Sequence, residues 1–214
     1  RYIFHSLDKL LVLGKVDIKI IKKIKKYKLK FMGLPKKTLI VGSARHDFFL
    51  KKKIIKKKKK NFFHILYIKS NPHYLDGLED KAFMLFSKLM NNQKGIKYAI
   101  KDRENIVSRS TRMLIDKKII KEKFLDKSGF IEQSINKADL CVGTNSTALL
   151  RQAINMNKPI IQLCAKKHYM WNSSKKIISA CNEKQIVLCI NKLVNDRKYY
   201  YKYLNSHKKL KKYI

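Results

Sequence analysis

The sequence predicts an α/β protein built on a parallel β-sheet with helices on its faces. Short apolar runs, each as long as a buried strand and too short for a helix, recur along the chain; the clearest are Phe62–Ile68, Ile96–Ile100 and Ile160–Leu163. Segments with apolar residues at helical spacing lie between these runs, which is the pattern of repeated βαβ units. We therefore expect a Rossmann-like domain over residues 36–205.

The other elements follow from the same two periodicities. Apolar residues near the start predict a short strand and a lysine-rich amphipathic helix within residues 1–30, and Thr38–Val41 predicts the next strand. Apolar residues at helical spacing predict helices at Asp76–Asn91, Phe130–Lys137, Glu183–Asn195 and in a tyrosine-rich segment that reaches Tyr213. The pattern is weak from Asn105 to Ser128, where Ile119–Leu125 is the candidate edge strand.

The chain is strongly basic, with a formal net charge of +36 over 214 residues. Of its 51 basic residues 44 are lysine, and eight of these lie within residues 51–60, which is typical of a solvated loop. A protein that reads a nucleic-acid sequence usually uses more arginine, because the guanidinium group binds phosphates and bases in a fixed geometry. The charge therefore predicts nonspecific attraction to polyanions and anionic membranes, without a specific nucleic-acid partner.

The sequence also indicates in which cellular compartment the protein is found. No apolar run approaches the roughly 18–20 residues of a membrane span, and we recognise no signal peptide. Because the chain begins with Arg1 and enters apolar sequence directly, we expect a fragment that lacks its upstream part. Cysteine and histidine spacing predicts no zinc site and favours structural thiols in a reducing, cytoplasmic compartment; the cysteines are Cys141, Cys164, Cys181 and Cys189.

The most informative stretch runs from Ala138 to Leu163. Leu140–Val142 predicts a buried strand, residues 146–157 predict a helix, and Pro159 ends that helix before the next strand. Five residues that suit a tight turn and a helix N-cap connect the strand to the helix: Gly143, Thr144, Asn145, Ser146 and Thr147. The whole stretch is a βαβ unit.

The turn of this unit predicts an anion site. Ligands of open parallel sheets bind beyond the carboxyl ends of the strands, and the free N–H groups of a helix N-terminus attract phosphate. The alternative is that Ser146 or Thr147 only caps the helix. A similar arrangement follows Thr38–Val41, where Ser43 and Arg45 are placed to reach phosphates; here the alternative is a surface ion pair of Arg45 with Asp47.

The segment Gly-Thr-Asn-Ser-Thr-Ala-Leu-Leu at 143–150, with Ala153 and Lys-Pro-Ile-Ile at 158–161, resembles the donor-binding motif of GT-B glycosyltransferases. The likeness is closest to enzymes that build bacterial surface and capsular polysaccharides, and a Gly-Ser-x-Arg-x-Asp segment at 42–47 is similar to one in the same proteins. The resemblance implies the C-terminal, donor-binding half of a GT-B fold. Residues 1–35 would form the end of the N-terminal domain and the interdomain linker, and residues 206–214 would form a basic C-terminal tail.

The resemblance also implies roles for single residues. The turn at 143–147 would hold the diphosphate of a nucleotide-sugar, and Lys101 or Arg103 would neutralise it; a local ion-pair cluster is the alternative for these two. Gln152 stands seven residues before Pro159, where relatives carry an acid that binds the ribose. Because helix N-termini and cations stabilise the leaving diphosphate, no metal or other cofactor is implied. The general base is expected upstream, so this chain would bind the donor without turning it over.

The expected function is sugar transfer from a nucleotide-sugar to a surface-glycan acceptor. It would take place in the cytoplasm, where the basic surface allows peripheral contact with the inner face of the membrane. A nucleotide-sugar 2-epimerase of the same fold is one alternative, although its Ser-Gly-Gly and paired-Glu features are missing. A lysine-rich polyanion-binding module without catalysis and an inactive, decayed gene product are the others.

Overall fold

The computed structural model describes residues 9–12, 37–40, 62–69, 78–102, 107–144, 148–163 and 177–210. Its strands are β1 (Lys9–Val12), β2 (Lys37–Ile40), β3 (Phe63–Ile68), β4 (Ile96–Lys101), β5 (Leu140–Gly143), β6 (Ile160–Leu163) and β7 (Ile178–Ala180). Its helices are α1 (Leu78–Asn91), α2 (Arg109–Asp116), α3 (Ile131–Lys137), α4 (Ala148–Asn155), α5 (Glu183–Asn195) and α6 (Arg197–Leu210).

The main sheet has five parallel strands in the order β4-β3-β5-β6-β7. Every residue of β5 and β6 is buried, because helices cover both faces of a parallel sheet; this is why these strands appear in the sequence as continuous apolar runs. Tyr67 pairs with Val142 and Gly143 pairs with Gln162, so β5 lies between β3 and β6. The predicted Rossmann-like α/β fold is confirmed.

The core on one face of the sheet is rich in aromatic residues. The Tyr67 ring of β3 lies 5.0 Å from the ring of Phe83 and 4.9 Å from that of Phe86, both on α1. Phe86 in turn meets the Tyr98 ring of β4 edge-on at 5.9 Å. The apolar stripe predicted for Asp76–Asn91 therefore packs on the sheet, and α5 completes this core beside α1.

Helices α3 and α4 contribute a second set of buried residues, which includes Ile135 and Leu150. A buried lysine joins the two helices: Lys158, just after α4, donates from its ammonium group to the carbonyls of Asn136 at 2.9 Å and Ala138 at 2.7 Å. These carbonyls lie at the carboxyl end of α3, where a cation is favoured. The preceding residue, Asn157, has a left-handed backbone (φ 57°) that turns the chain out of α4.

The chain divides into two compact units, Arg1–Lys53 with Leu210–Ile214, and Ile54–Lys209. β1 and β2 pair in parallel within the first unit, and the five-stranded sheet belongs to the second. The sequence-based boundary at residue 36 therefore precedes a strand that pairs with β1 and not with the main sheet. The helix predicted within residues 1–30 lies outside the described residues.

The weakly patterned region differs most from its prediction. The edge strand predicted at Ile119–Leu125 is wrong: Glu122–Phe124 form a 3₁₀ turn, and Leu125 makes one bridge to Ile100. The prediction missed helix α2 because its sequence, RSTRMLID, is largely polar. Three-residue β7 was also missed. Cys181, expected to be a structural thiol, is exposed.

Candidate functional site

The carboxyl edge of the main sheet brings together residues that are far apart in sequence. Because the strands are parallel, Lys69 after β3, Asp102 after β4 and Thr144 after β5 all lie at this edge. The backbone N–H of Lys69 extends the ladder by donating to the Lys101 carbonyl at 3.0 Å. This edge is where ligands of open α/β sheets bind.

Gly143 is required by packing at this edge. A Cβ atom placed on it would lie 2.9 Å from the backbone oxygen of Ile68 and 3.3 Å from Cδ1 of Leu150. The first distance is shorter than any ordinary carbon contact, and the atom that it meets is backbone, which cannot turn aside. Glycine therefore allows β5, β3 and α4 to approach closely, independently of any ligand.

Thr144 is fully buried and hydrogen-bonds to a buried acid. Its hydroxyl donates to Oε2 of Glu79, and the Tyr67 hydroxyl donates to Oε1 of the same carboxylate at 3.0 Å. Glu79 itself is 0% exposed and lies in the first turn of α1. The Thr144 hydroxyl proton, which the sequence assigned to a diphosphate, is directed at Glu79. Sequence reasoning missed Glu79; its only signal was an acid at the start of a helix that follows a strand.

A second polar cluster lies at the ends of β3 and β4. The Lys69 ammonium, whose side chain is 2% exposed, donates to the hydroxyls of Ser108 at 2.5 Å, Thr111 at 3.1 Å and Ser110. Asp102 accepts from the Ser108 hydroxyl at 2.8 Å and the Thr111 hydroxyl at 2.5 Å. This cluster holds the amino end of α2 against the sheet, so these polar residues fold as a helix although their apolar pattern is weak.

Lys101 lies at the same edge but is 6% exposed. Its ammonium donates to the carbonyl of Ser128. Burial acts to raise the pKa of the nearby Asp126 carboxyl, but hydrogen bonds from Ser128 and the Lys101 charge outweigh it and hold that pKa below its ordinary value. Lys101 thus contacts the segment that leads into α3, and its role toward a diphosphate stays a prediction.

Gln152, a residue of α4, is 2% exposed and contacts α3. Its amide nitrogen donates to Oε1 of Glu132 at 2.5 Å. The position where the resemblance expects an acid therefore holds an amide, and the neighbouring helix supplies a buried carboxylate beside it. Nothing in the local sequence connects Glu132 with Gln152, because 20 residues separate them.

The other predicted site residues lie outside the described part of the chain. They are Ser43, Arg45, Arg103, Asn145, Ser146 and Thr147. The helix that follows the last three has no acid in its first turn, whereas α1 has Glu79 and Asp80 there. The electrostatic environment of these two helix ends thus differs, because acids stand at the positive end of the α1 dipole and none stands in the first turn of α4.

Within the described residues, no group of three or more His, Cys, Asp or Glu side chains is placed to hold a metal ion. Likewise, no helix of the described ranges is long and apolar enough to cross a membrane.

In sequence, the chain matches no family model and no curated protein. Its fold, in contrast, matches solved structures over most of its length. The S. aureus MnaA–UDP complex superposes with a TM-score of 0.64 at 12% identity, over 93% of this chain and 55% of MnaA. S. aureus TarM, in complex with fondaparinux, α-GlcNAc-glycerol and UDP, gives 0.57 at 14% identity, over 97% and 41%. WaaG, a glycosyltransferase involved in lipopolysaccharide biosynthesis, gives 0.53 at 12% identity, over 94% and 58%.

These likenesses define the fold. The chain has the Rossmann-like fold of GT-B glycosyltransferases and spans about half the length of the proteins that it matches, consistent with a GT-B C-terminal half. The resemblance drawn from residues 143–161 is confirmed at this level.

Proposed function

We propose that the chain binds a nucleotide-sugar at the carboxyl edge of the main sheet. The observation that carries this proposal is the turn between β5 and α4: it follows a central strand at Gly143 and precedes a helix whose first turn has no acid. Two of the similar proteins introduced above, MnaA and TarM, are described in complex with UDP, which is a nucleoside diphosphate. Residues 145–147 would seat the diphosphate on backbone N–H groups and hydroxyls.

The protein's part in the chemistry is electrostatic. Sugar transfer from such a donor leaves a nucleoside diphosphate, whose developing charge the start of α4 and the net charge of +36 stabilise. Ser43, Arg45, Lys101 and Arg103 are the proposed cations and hydroxyls beside it. We propose no metal and no other cofactor. The residue that activates the acceptor is proposed to lie outside this chain.

Gln152 stays the proposed ribose contact, now as the partner of Glu132. Since its amide nitrogen donates to Glu132, its carbonyl oxygen is the atom that would accept from a ribose hydroxyl. An amide oxygen is a weaker acceptor than a carboxylate. We therefore propose a nucleotide site that depends more on the diphosphate than on the ribose.

Calorimetric titration tests this proposal. UDP should bind at least about tenfold more tightly than uridine, because the diphosphate makes charge-assisted hydrogen bonds. Inorganic pyrophosphate, added as a competitor, should displace UDP. Equal affinity for UDP and uridine would overturn the diphosphate site. Product analysis of a full-length protein with UDP-N-acetylglucosamine would then separate transfer from 2-epimerisation.

The charge supports a second proposal, peripheral contact of a cytoplasmic protein with anionic membrane. An excess of 36 positive charges attracts anionic lipid without a dedicated site. Binding to vesicles of phosphatidylglycerol should be strong at low salt and collapse at physiological salt. Binding that resists salt, or that selects one nucleic-acid sequence, would contradict this nonspecific attraction.

A further inference from the structure

A cavity of about 380 Å³ lies beside the start of β4, away from the candidate nucleotide site. Its lining residues come from the end of α1, the start of β4 and the segment that follows α2: Met90, Asn91, Gln93, Ile96, Lys97, Tyr98, Lys118, Ile119, Lys121 and Phe124. Ile96 begins β4, whereas the nucleotide site lies beyond the carboxyl ends of the strands. The two ends of β4 are about 16 Å apart at the usual rise per residue of a strand.

One part of the wall of the cavity is aromatic and apolar, whereas Asn91 and Gln93 contribute polar groups to its lining. The rings of Tyr98 and Phe124 lie 4.4 Å apart at 36°, and Met90, Ile96 and Ile119 extend this surface. The Tyr98 hydroxyl donates to Oδ1 of Asn91 at 2.7 Å. Burial raises the pKa of Tyr98 to about 12, so its ring is neutral at physiological pH. A flat apolar group would find contact area here.

The rim of the cavity is basic. Lys97, Lys118 and Lys121 line it and are exposed, and no acid is among the lining residues. The acid next in sequence, Glu122, pairs with Lys127 at 3.5 Å. The Lys97 ammonium lies 4.0 Å from the centroid of the Phe62 ring. Lys118 and Lys121 are therefore the cations offered to an anion at the rim, and no lining carboxylate would oppose it.

Lys118 occupies a backbone position that usually selects glycine. It follows α2 with φ 56°, and its N–H donates to the Ile115 carbonyl at 2.8 Å, while the N–H of Ile119 donates to that of Leu114 at 2.9 Å. This is the left-handed residue of a helix C-terminus, where the absence of a Cβ favours glycine. A lysine at this position places a cation on the cavity. Lys118→Gly removes that cation and keeps the backbone conformation.

We propose that this cavity binds a small organic anion with a flat aromatic body, such as an aromatic carboxylate, sulfonate or monophosphate ester. Its volume falls within the roughly 300–1,000 Å³ of small-molecule sites. The aromatic wall takes the body and the lysine rim takes the charge. The site does not depend on the proposed nucleotide site, so either can fail without the other.

The test uses 1-naphthalenesulfonate as the anion and 1-naphthalenemethanol as its neutral counterpart. Methyl-labelled methionine reports the location by NMR, because Met90 lines the cavity whereas Met84 and Met113 are exposed elsewhere. The sulfonate should shift the Met90 methyl saturably, leave Met84 and Met113 unmoved, and bind more tightly than the alcohol. UDP should not displace it.

Variants separate the two halves of the site. Phe124→Ala should weaken both probes about tenfold, the worth of a lost aromatic contact. Lys118→Gly should weaken only the sulfonate, by about threefold, as for one exposed charge. Lys88→Gln removes an exposed charge from α1 outside the cavity and should change neither affinity. The proposal is wrong if the Met90 methyl signal does not shift or if the alcohol binds as tightly as the sulfonate. It is also wrong if Lys88→Gln weakens sulfonate binding as much as Lys118→Gly does.

Discussion

The hydroxyl of Thr144 donates to the carboxylate of Glu79, which is completely buried. This contact ties the residue after β5 to the first turn of α1, 65 positions earlier in the chain. Tyr67 of β3 donates to the other oxygen, so one carboxylate connects two strands and a helix at the edge proposed to bind the donor. Thr144 thus anchors the carboxyl end of β5 to α1 inside the protein.

This contact predicts that Thr144→Val costs stability more than affinity. The variant removes a donor from a buried carboxylate, which should lower the free energy of unfolding by about 1–3 kcal/mol. UDP affinity should change by less than about twofold, because the hydroxyl proton points to Glu79. Urea unfolding and calorimetry measure the two quantities, and Thr144→Ser, which keeps the hydroxyl, is the control. A large loss of affinity with unchanged stability would place the hydroxyl on the ligand.

The pair Glu132–Gln152 gives a different prediction from the one that the sequence alone suggests. By resemblance, Gln152→Glu should improve ribose binding. In the structure it would place two carboxylates in contact in a buried site, with an expected cost on the order of 3 kcal/mol at neutral pH. One of the two would have a raised pKa, so the deficit against the native chain should shrink as pH falls.

Exchanging both residues tests the ribose contact without this repulsion. Glu132→Gln with Gln152→Glu restores one amide and one carboxylate, and its urea unfolding should resemble that of the native chain. If position 152 faces the ribose, UDP should bind about fivefold more tightly, since a carboxylate is the stronger acceptor. Native-like stability with unchanged affinity would place the ribose elsewhere.

Lys158 should stabilise the fold through the end of α3. Lys158→Met keeps most of the apolar stem but leaves the Asn136 and Ala138 carbonyls without this donor. We expect a loss of about 1–3 kcal/mol in the free energy of unfolding. The same substitution at the exposed Lys184 is the control and should be nearly neutral. Equal effects at both positions would mean that the hydrogen bonds of Lys158 to the end of α3 contribute nothing to the free energy of unfolding.

His207 predicts a pH dependence of stability. It is fully buried, its Nδ1 lies 3.0 Å from the Tyr203 carbonyl, and burial lowers its pKa to about 4. In the unfolded chain the pKa returns to about 6.5, so the unfolded state binds more protons between these values. The free energy of unfolding therefore has its full value, as far as His207 is concerned, above pH 6.5. It falls by about 3 kcal/mol in total as the pH decreases toward 4.

Urea unfolding of the native chain and of His207→Leu, measured from pH 7 to 4, isolates this residue from the other titrating groups. The difference in unfolding free energy between the two proteins should shrink or reverse on acidification. A difference that does not depend on pH would contradict the buried, neutral histidine.

Most strands and most helices could be predicted because their pattern is local. β3, β5 and β6 are apolar on both faces, and α1 and α5 carry an apolar face at helical spacing. Helix α2 could not be predicted, since the partners of Ser108, Ser110 and Thr111 are Lys69 and Asp102, which follow the strands β3 and β4. Only three residues of this helix, Met113, Leu114 and Ile115, are apolar, so its sequence offers too short an apolar pattern to predict it.

The end of β5 could be placed from the sequence, whereas the contacts made there could not. A strand that ends at Gly143 follows from local sequence, and the parallel sheet places that end at the carboxyl edge, where open α/β sheets in general bind ligands. Glu79 and Glu132 come from sequence positions that nothing local connects with Thr144 and Gln152. Gly143 was expected to make room for phosphate, and the structure gives it a packing reason as well.

The proposed nucleotide-sugar site depends most on the residues before α4, and calorimetry of Ser146→Ala/Thr147→Ala tests their role directly. If the turn seats a diphosphate, the double variant should bind UDP more than about tenfold more weakly, while uridine binding changes little. A thermal melt of the same sample should show that the fold is retained. If UDP and uridine weaken equally, or if the variant only melts earlier, the turn is a helix cap and the proposed nucleotide-sugar site is wrong.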